Sequence, residues 1–259
     1  MSIHVRVPEG QGLIEVVRPG DGGLSLLSCG VVRLAAGAVF EGSTRGSETV
    51  LVISRGRCAV SAGGKTLGEL VRKDVFDELP FSVFLPPRTP YRLSASQHTE
   101  LVMVGALSDA AGEPVVIAPT DCGVRRVGGD NSTREIRDIV PPAFPAARIL
   151  VGETVSAPGH WSSYPPHKHD RHTPPAEVAL EELYYFKISP PRGFGVIRVY
   201  DDASDEAYVL RSDEVVTIPR GYHPVGVIPG HRIYYLWAMA GSARMMAPST
   251  HPDFAADGA

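Results

Sequence analysis

Three histidines and a glutamate in the second half of the chain are of the types that together bind a divalent metal ion. His167 and His169 stand two positions apart in HWSSYPPHKHDRHTPPAEVALEELYYF (160–186). On a β-strand this spacing turns both imidazoles to one face, because successive side chains alternate. Pro165-Pro166 and Pro174-Pro175 bracket the short element, Glu182 heads the next strand-like run, and His223 follows the Pro219-Arg220-Gly221 turn. Neutral imidazoles with a carboxylate form a borderline-to-hard donor set that suits Zn or Mn, and also Fe, Co or Ni. A lone His-X-His is often only a surface feature. Here the proline brackets, the carboxylate strand and the later histidine combine to favour a metal site.

The elements that must position these residues read as strands. Runs of β-branched and aromatic residues recur between Gly, Pro, Asp and Asn, and helical periodicity is scarce. In the first half they fall at 24–35, 49–64, 81–95 and 99–108, with Arg55-Gly56 and Gly63-Gly64 expected as hairpin turns. In the second half they fall at 148–159, 180–189, 193–200, 206–211, 214–230 and 232–241. SVFLPPRTPYRL and VVTIPRGYHPVGV share an order of strand, proline turn and strand. An all-β fold of two consecutive barrels follows, since closing each sheet removes its exposed edges. The first barrel spans 1–120, a connecting segment runs to about 145, and the second barrel spans 146–259. The tail APSTHPDFAADGA reads as a surface strap or frayed end.

Of 259 residues, 43% are hydrophobic and 21% charged, as in ordinary globular proteins. A net charge of -4 without basic tracts argues against nucleic acid as a partner. No apolar run reaches the roughly 20 residues of a membrane span. Cys29, Cys58 and Cys122 lack metal-type spacing and read as buried thiols. With no secretory segment at MSIHVRVPEG, they point to the cytoplasm.

His-X-His, a later Glu, then Pro-X-Gly closely followed by His resembles the two-part metal motif of the cupins. WSSYPPHKHD, LEELYYFKISPPRGFGVIRVYDD, DEAYVLRSDEVVTIPRGYHPV and YYLWAMAG are more narrowly similar to the 5-deoxy-glucuronate isomerase family of myo-inositol catabolism. That family shares a superfamily with the 4-deoxy-L-threo-5-hexosulose-uronate ketol-isomerases. The similarity extends through RRVGGDNSTREIRDIV and covers nearly the whole chain.

The resemblance implies a bicupin of two jelly-roll barrels, a divalent metal in the second barrel, and an aldose–ketose isomerisation of a small sugar acid. Its metal ligands fall on His167, His169, Glu182 and His223. Because RHTPPAEVALE is inserted, Glu181 and Glu177 are rival ligands. Glu182 is preferred, since strand parity turns it inward with Tyr184 and Phe186. Glu181 or Glu177 would then serve as the general base, and Tyr184 joins the catalytic set. Lys168, Arg220 and Arg198 are candidate clamps for a substrate carboxylate, although alternation turns Lys168 away from the two histidines. His172 reads as solvent-exposed, and His160 is undecided.

The first half has no His-X-His. Glu48 reads there as a solvated turn residue, with Arg88 and Tyr91 near the second turn, and that barrel is expected to be metal-free. Other expectations are a homo-oligomer, another metal-cupin enzyme such as a dioxygenase, or a non-catalytic sugar-binding cupin.

Overall fold

A computed structural model describes residues 3–258. Nearly all regular structure is antiparallel β. The main sheet of the second half has the order His4–Arg6, Glu214–Ile218, Leu180–Ser189, Arg232–Gly241, Ile149–Ser156, Arg134–Val140 and Gly123–Val127. A smaller sheet of Trp161–Ser162, Val225–Val227, Gly195–Tyr200 and Asp205–Leu210 faces it. Between them lies an apolar filling that includes Tyr184, Phe186, Ile197, Val216, Val225 and Trp237. The side chains of Leu180–Ser189 alternate between two covered faces, so most of the strand is buried, its polar Glu182 included.

The first half repeats this plan around Leu51, Ile53, Leu70, Leu85, Leu93 and Leu101. One expected turn there is absent. Ser47–Ala62 runs as a single strand through Arg55-Gly56. Residues up to Arg55 pair with Thr99–Leu107, and residues from Gly56 pair with Lys65–Arg72. A bulge between Ile53 and Arg55 bends the strand from one sheet into the other. The Gly63-Gly64 turn is present.

Two segments belong to a different sheet from the one their position suggests. His4–Arg6 pairs with Glu214–Val216, across the molecule. Gly123–Val127 and Arg134–Val140, inside the expected connection, extend the second half's main sheet. Cys29, Cys58 and Cys122 are buried free thiols.

The two main sheets pack back to back over a third apolar cluster, which draws Val31, Val50 and Val104 from one half and Val151, Leu183 and Leu236 from the other. Polar groups lock this seam. Glu48 is 1% exposed, and its carboxylate accepts hydrogen bonds from the amides of Ala147, Arg148 and Ile149 at 2.5–2.9 Å. It is therefore a buried fastener, not the solvated turn residue expected. The local sequence hides this because all its partners lie about 100 positions away. The second half returns the arrangement. Glu181 accepts from the amides of Ser25, Leu26 and Leu27 and from the Ser25 hydroxyl, at 2.7–2.8 Å.

A second fastener is ionic. Glu100 accepts from Arg33 at 2.8 Å and from Lys187 of the other half at 2.7 Å, and Lys187 also reaches Asp213 at 2.7 Å. Burial raises the carboxyl pKa of Glu100, but Lys187 and then Arg33 outweigh it and hold it below the ordinary 4.5. A carboxyl depressed in the folded state stabilises fully above its unfolded pKa and loses that contribution as pH falls through the folded value. Glu100→Gln is therefore expected to cost about 2 kcal/mol near pH 7, and the gap to wild type should close as pH drops below about 4.5. Urea midpoints of both proteins across that range check this; a gap independent of pH would refute it.

Candidate metal centre

The second half brings His169, Glu182 and His223 together, with one ligating atom from each lying within 4.8 Å of the others. All three are buried, His223 completely. His169 is fixed by exchange with the head of the next strand. Its Nδ1 hydrogen-bonds the Leu180 carbonyl at 2.5 Å, and its own carbonyl accepts from the Leu180 amide at 2.9 Å. Two residues on, strand alternation turns Glu182 inward. Its Oε2 lies 3.0 Å from His169 Nε2 and 3.3 Å from His223 Nε2.

His223 arrives on the turn closed by Gly221, whose φ is +95°. A Cβ there would sit 2.7 Å from the Tyr200 carbonyl oxygen, so glycine is required on both counts. His223 Nδ1 meets the Gly221 carbonyl at 2.8 Å. His167, at the end of the strand His167–Lys168, meets the Pro165 carbonyl through Nδ1 at 3.3 Å. Its ring lies edge-on to His223, with centroids 4.9 Å apart.

A carbonyl can only accept, so each Nδ1 carries a hydrogen. In a neutral imidazole this leaves the Nε2 lone pair for a ligand. Burial pushes His167 down to about 4, with His169 adding to the effect. Burial also holds His223 well below its ordinary value. Both are neutral near pH 7. Burial opposes a charge on His169 as well, but Glu182 outweighs it and raises that histidine. Nε2 of His223 is buried without a hydrogen-bond partner, the contact to Glu182 being off-axis. The neutral imidazoles of His167 and His223, the Glu182 carboxylate and an orphaned buried lone pair fit a divalent cation better than they fit each other.

The other candidates lie elsewhere. Glu181 faces the opposite side of its strand and is consumed by the amides of residues 25–27, so it is neither ligand nor base. Glu177 accepts from the Asp170 and Arg171 amides at 2.6 and 2.9 Å, bracing the ligand loop from outside. Lys168 points the same way, 3.6 Å from Asp170 and 3.9 Å from Glu177. Asp170 in turn accepts from the Gly221 amide at 2.8 Å, tying this loop to the turn that delivers His223. Arg198 is exposed on the outer sheet, paired with Asp205 and stacked on Tyr200, and Arg220 pairs with Asp201. None of these is a clamp at the centre. His172 is exposed, and His160 meets the Thr133 carbonyl at 3.0 Å. Tyr184 does face the site. It is 2% exposed, its hydroxyl lies 3.2 Å from Ser163 Oγ, and burial followed by the charge of Glu182 raises its pKa well above the ordinary value.

Residues 4–256 match the KduI/IolB family. The chain belongs to that family. A KduI/IolB relative from Geobacillus thermodenitrificans, named 5-deoxy-glucuronate isomerase, is 37% identical over 95% of this chain and 91% of its own. The crystal structure of an IolB-like protein from Salmonella typhimurium LT2 superposes with a TM-score of 0.95 at 30% identity, covering 99% of each chain. Oxalate decarboxylase from Lactobacillus farciminis, a cupin, shares the fold alone, with a TM-score of 0.69 at 13% identity over 95% of this chain and 88% of that one. The two β-barrels of this KduI/IolB chain are thus a bicupin.

The centre opens into a cavity of about 310 Å³ in the KduI/IolB fold. His167, His169, Glu182 and Tyr184 line one part, and Arg125 and Arg134 come from the hairpin inside the expected connection. Met246, Ala247, Pro248 and Thr250 form another wall. All but Met246 belong to the tail, which is a strap: Ser249–Thr250 pairs with His167–Lys168, and the His251 amide donates to the Pro166 carbonyl. Sequence reasoning assigned no role to Arg134 or Ser163. The signal available for Arg134 was its parity with the apolar Ile136, which also lines the cavity.

Proposed function

We propose that this chain is a divalent-metal-dependent aldose–ketose isomerase converting 5-deoxy-D-glucuronate to 5-dehydro-2-deoxy-D-gluconate, a cytoplasmic step of myo-inositol catabolism. The name carried by its relatives across nearly their full length supports the substrate. The observation that carries the chemistry is the buried, orphaned Nε2 of His223 beside His167, His169 and Glu182 at the cavity. These four would hold Zn or Mn. When bound, the ion supplies Lewis acidity to neighbouring carbonyl and hydroxyl oxygens.

In the reaction one proton leaves C2 and another arrives at C1, while the C2 hydroxyl gives up its proton and the C1 oxygen gains one. Among the described residues that line the cavity, Glu182 is the one carboxylate. With Glu181 and Glu177 engaged elsewhere, the Tyr184–Ser163 pair and whichever Glu182 oxygen the ion leaves free are the groups that can exchange protons with the substrate there. Tyr184 stays protonated and donates to a substrate oxygen as negative charge develops on it. The largely apolar walls, Trp237 and Met239 among them, lower the local dielectric and strengthen these contacts.

The test is incubation of the metal-loaded protein with 5-deoxy-D-glucuronate and NMR detection of the ketose, before and after chelation. Product formation that chelation abolishes and Zn or Mn restores is the expected result. No ketose from the restored protein would overturn the reading.

A further inference from the structure

The cavity contains a positive charge that the protein does not neutralise. Arg134 begins the strand Arg134–Val140 and is half-buried on the cavity wall. Its guanidinium donates to the Ser132 carbonyl at 3.0 Å, and among the described residues no carboxylate pairs with it. The turn before it is shaped around it. Gly128 has φ +83°, and a Cβ there would lie 2.7 Å from the guanidinium.

Its neighbour is different. Arg125 also lines the cavity but is gripped by Asp138 through two bonds of 3.0 and 3.3 Å. The wall therefore presents one free guanidinium, not two. A partly desolvated cation without a partner is unfavourable, and an incoming anion relieves it. One guanidinium fork matches one carboxylate, whose two oxygens it can hold at once. A dianionic phosphate would call for a second free cation.

We infer that Arg134 anchors the carboxylate of the substrate, holding the sugar acid by its far end while its carbonyl end meets the His/Glu centre. This rests on the isomerase reading for the identity of the sugar acid, but the anchor itself can be measured without turnover. It takes the role that the sequence suggested for Lys168, Arg220 or Arg198.

The experiment is calorimetric titration of metal-loaded protein with D-glucuronate and with its neutral amide, D-glucuronamide. Wild type is expected to prefer the acid. Arg134→Gln should weaken acid binding about 10- to 100-fold, as for loss of a charge-assisted hydrogen-bond pair, and leave amide binding unchanged. Arg134→Lys keeps the charge but not the fork and should fall between the two. Arg198→Gln should match wild type. Metal content and melting temperature verify each variant; if Arg134→Gln does not load metal, Arg134→Lys decides.

An undiminished acid preference in the Arg134 variants, or no preference in wild type, overturns the inference. If wild type binds the acid through Arg134 but does not isomerise 5-deoxy-D-glucuronate, the proposed function fails and the anchor stands. If it isomerises with a KM that Arg134→Gln does not change, the anchor alone fails.

Discussion

His223→Ala is expected to remove the bound metal and lower kcat/KM for 5-deoxy-D-glucuronate by about three orders of magnitude, the scale of several kcal/mol of lost Lewis-acid stabilisation. The imidazole is fully buried, and its Nε2 makes no hydrogen bond, its contact to Glu182 at 3.3 Å being off-axis. A buried polar atom without a hydrogen bond costs free energy, which a cation bound at Nε2 would offset. Folding and metal effects separate cleanly. Added Zn or Mn should raise the melting temperature of metal-free wild type, because a ligand at 100 times its Kd stabilises by about 2.7 kcal/mol. It should leave His223→Ala unmoved. One equivalent of metal by elemental analysis, together with wild-type turnover in the variant, would remove His223 from the centre.

The largest expected loss of stability is at Glu153. This carboxylate is completely buried at the seam. It takes two bonds from Arg72 at 2.7 and 2.8 Å, one from Tyr234 at 2.6 Å, and a longer contact from Arg137 at 3.5 Å. Arg72 comes from the first half and is itself without exposed side chain. Burial disfavours its charge, but Glu153 more than compensates and raises its pKa. Such a pair adds little over a well-packed apolar substitute. Removing one member, however, strands the other charge, at about 3–5 kcal/mol. Glu153→Ala should therefore lower the melting temperature by about 10 °C, at roughly 2–4 °C per kcal/mol for a chain of this size. Arg72→Met combined with Glu153→Met should recover part of that loss, because neither charge is then stranded. A single variant that melts with wild type would show that the pair carries no such weight.

What the sequence reveals follows the range of the forces involved. Alternation is local, so the strands and the inward face shared by Glu182, Tyr184 and Phe186 can be read from residues 180–189 alone. The Pro219-Arg220-Gly221 turn is similarly local, and so is the His-X-His pair. Glu181 and Glu48 are different. Both look like ordinary carboxylates near strand starts, and their partners are backbone amides, which have no sequence signature. The strand His4–Arg6 carries nothing that foretells pairing with Glu214–Val216. Arg134 is hidden for a related reason. Its role depends on a hairpin folding over the cavity from a segment that reads as a connection, and on Asp138 choosing Arg125 instead.

Glu181 and Glu182 are neighbours on one strand and look in opposite directions. One holds the amides of residues 25–27, and the other faces the histidines. One peptide unit therefore joins a contact between the two halves to the candidate metal centre. A second half expressed alone would leave Glu181 with none of its four donors and the seam face of its strand in water. The first half thus supplies the four donors that fix the strand on which Glu182 is carried.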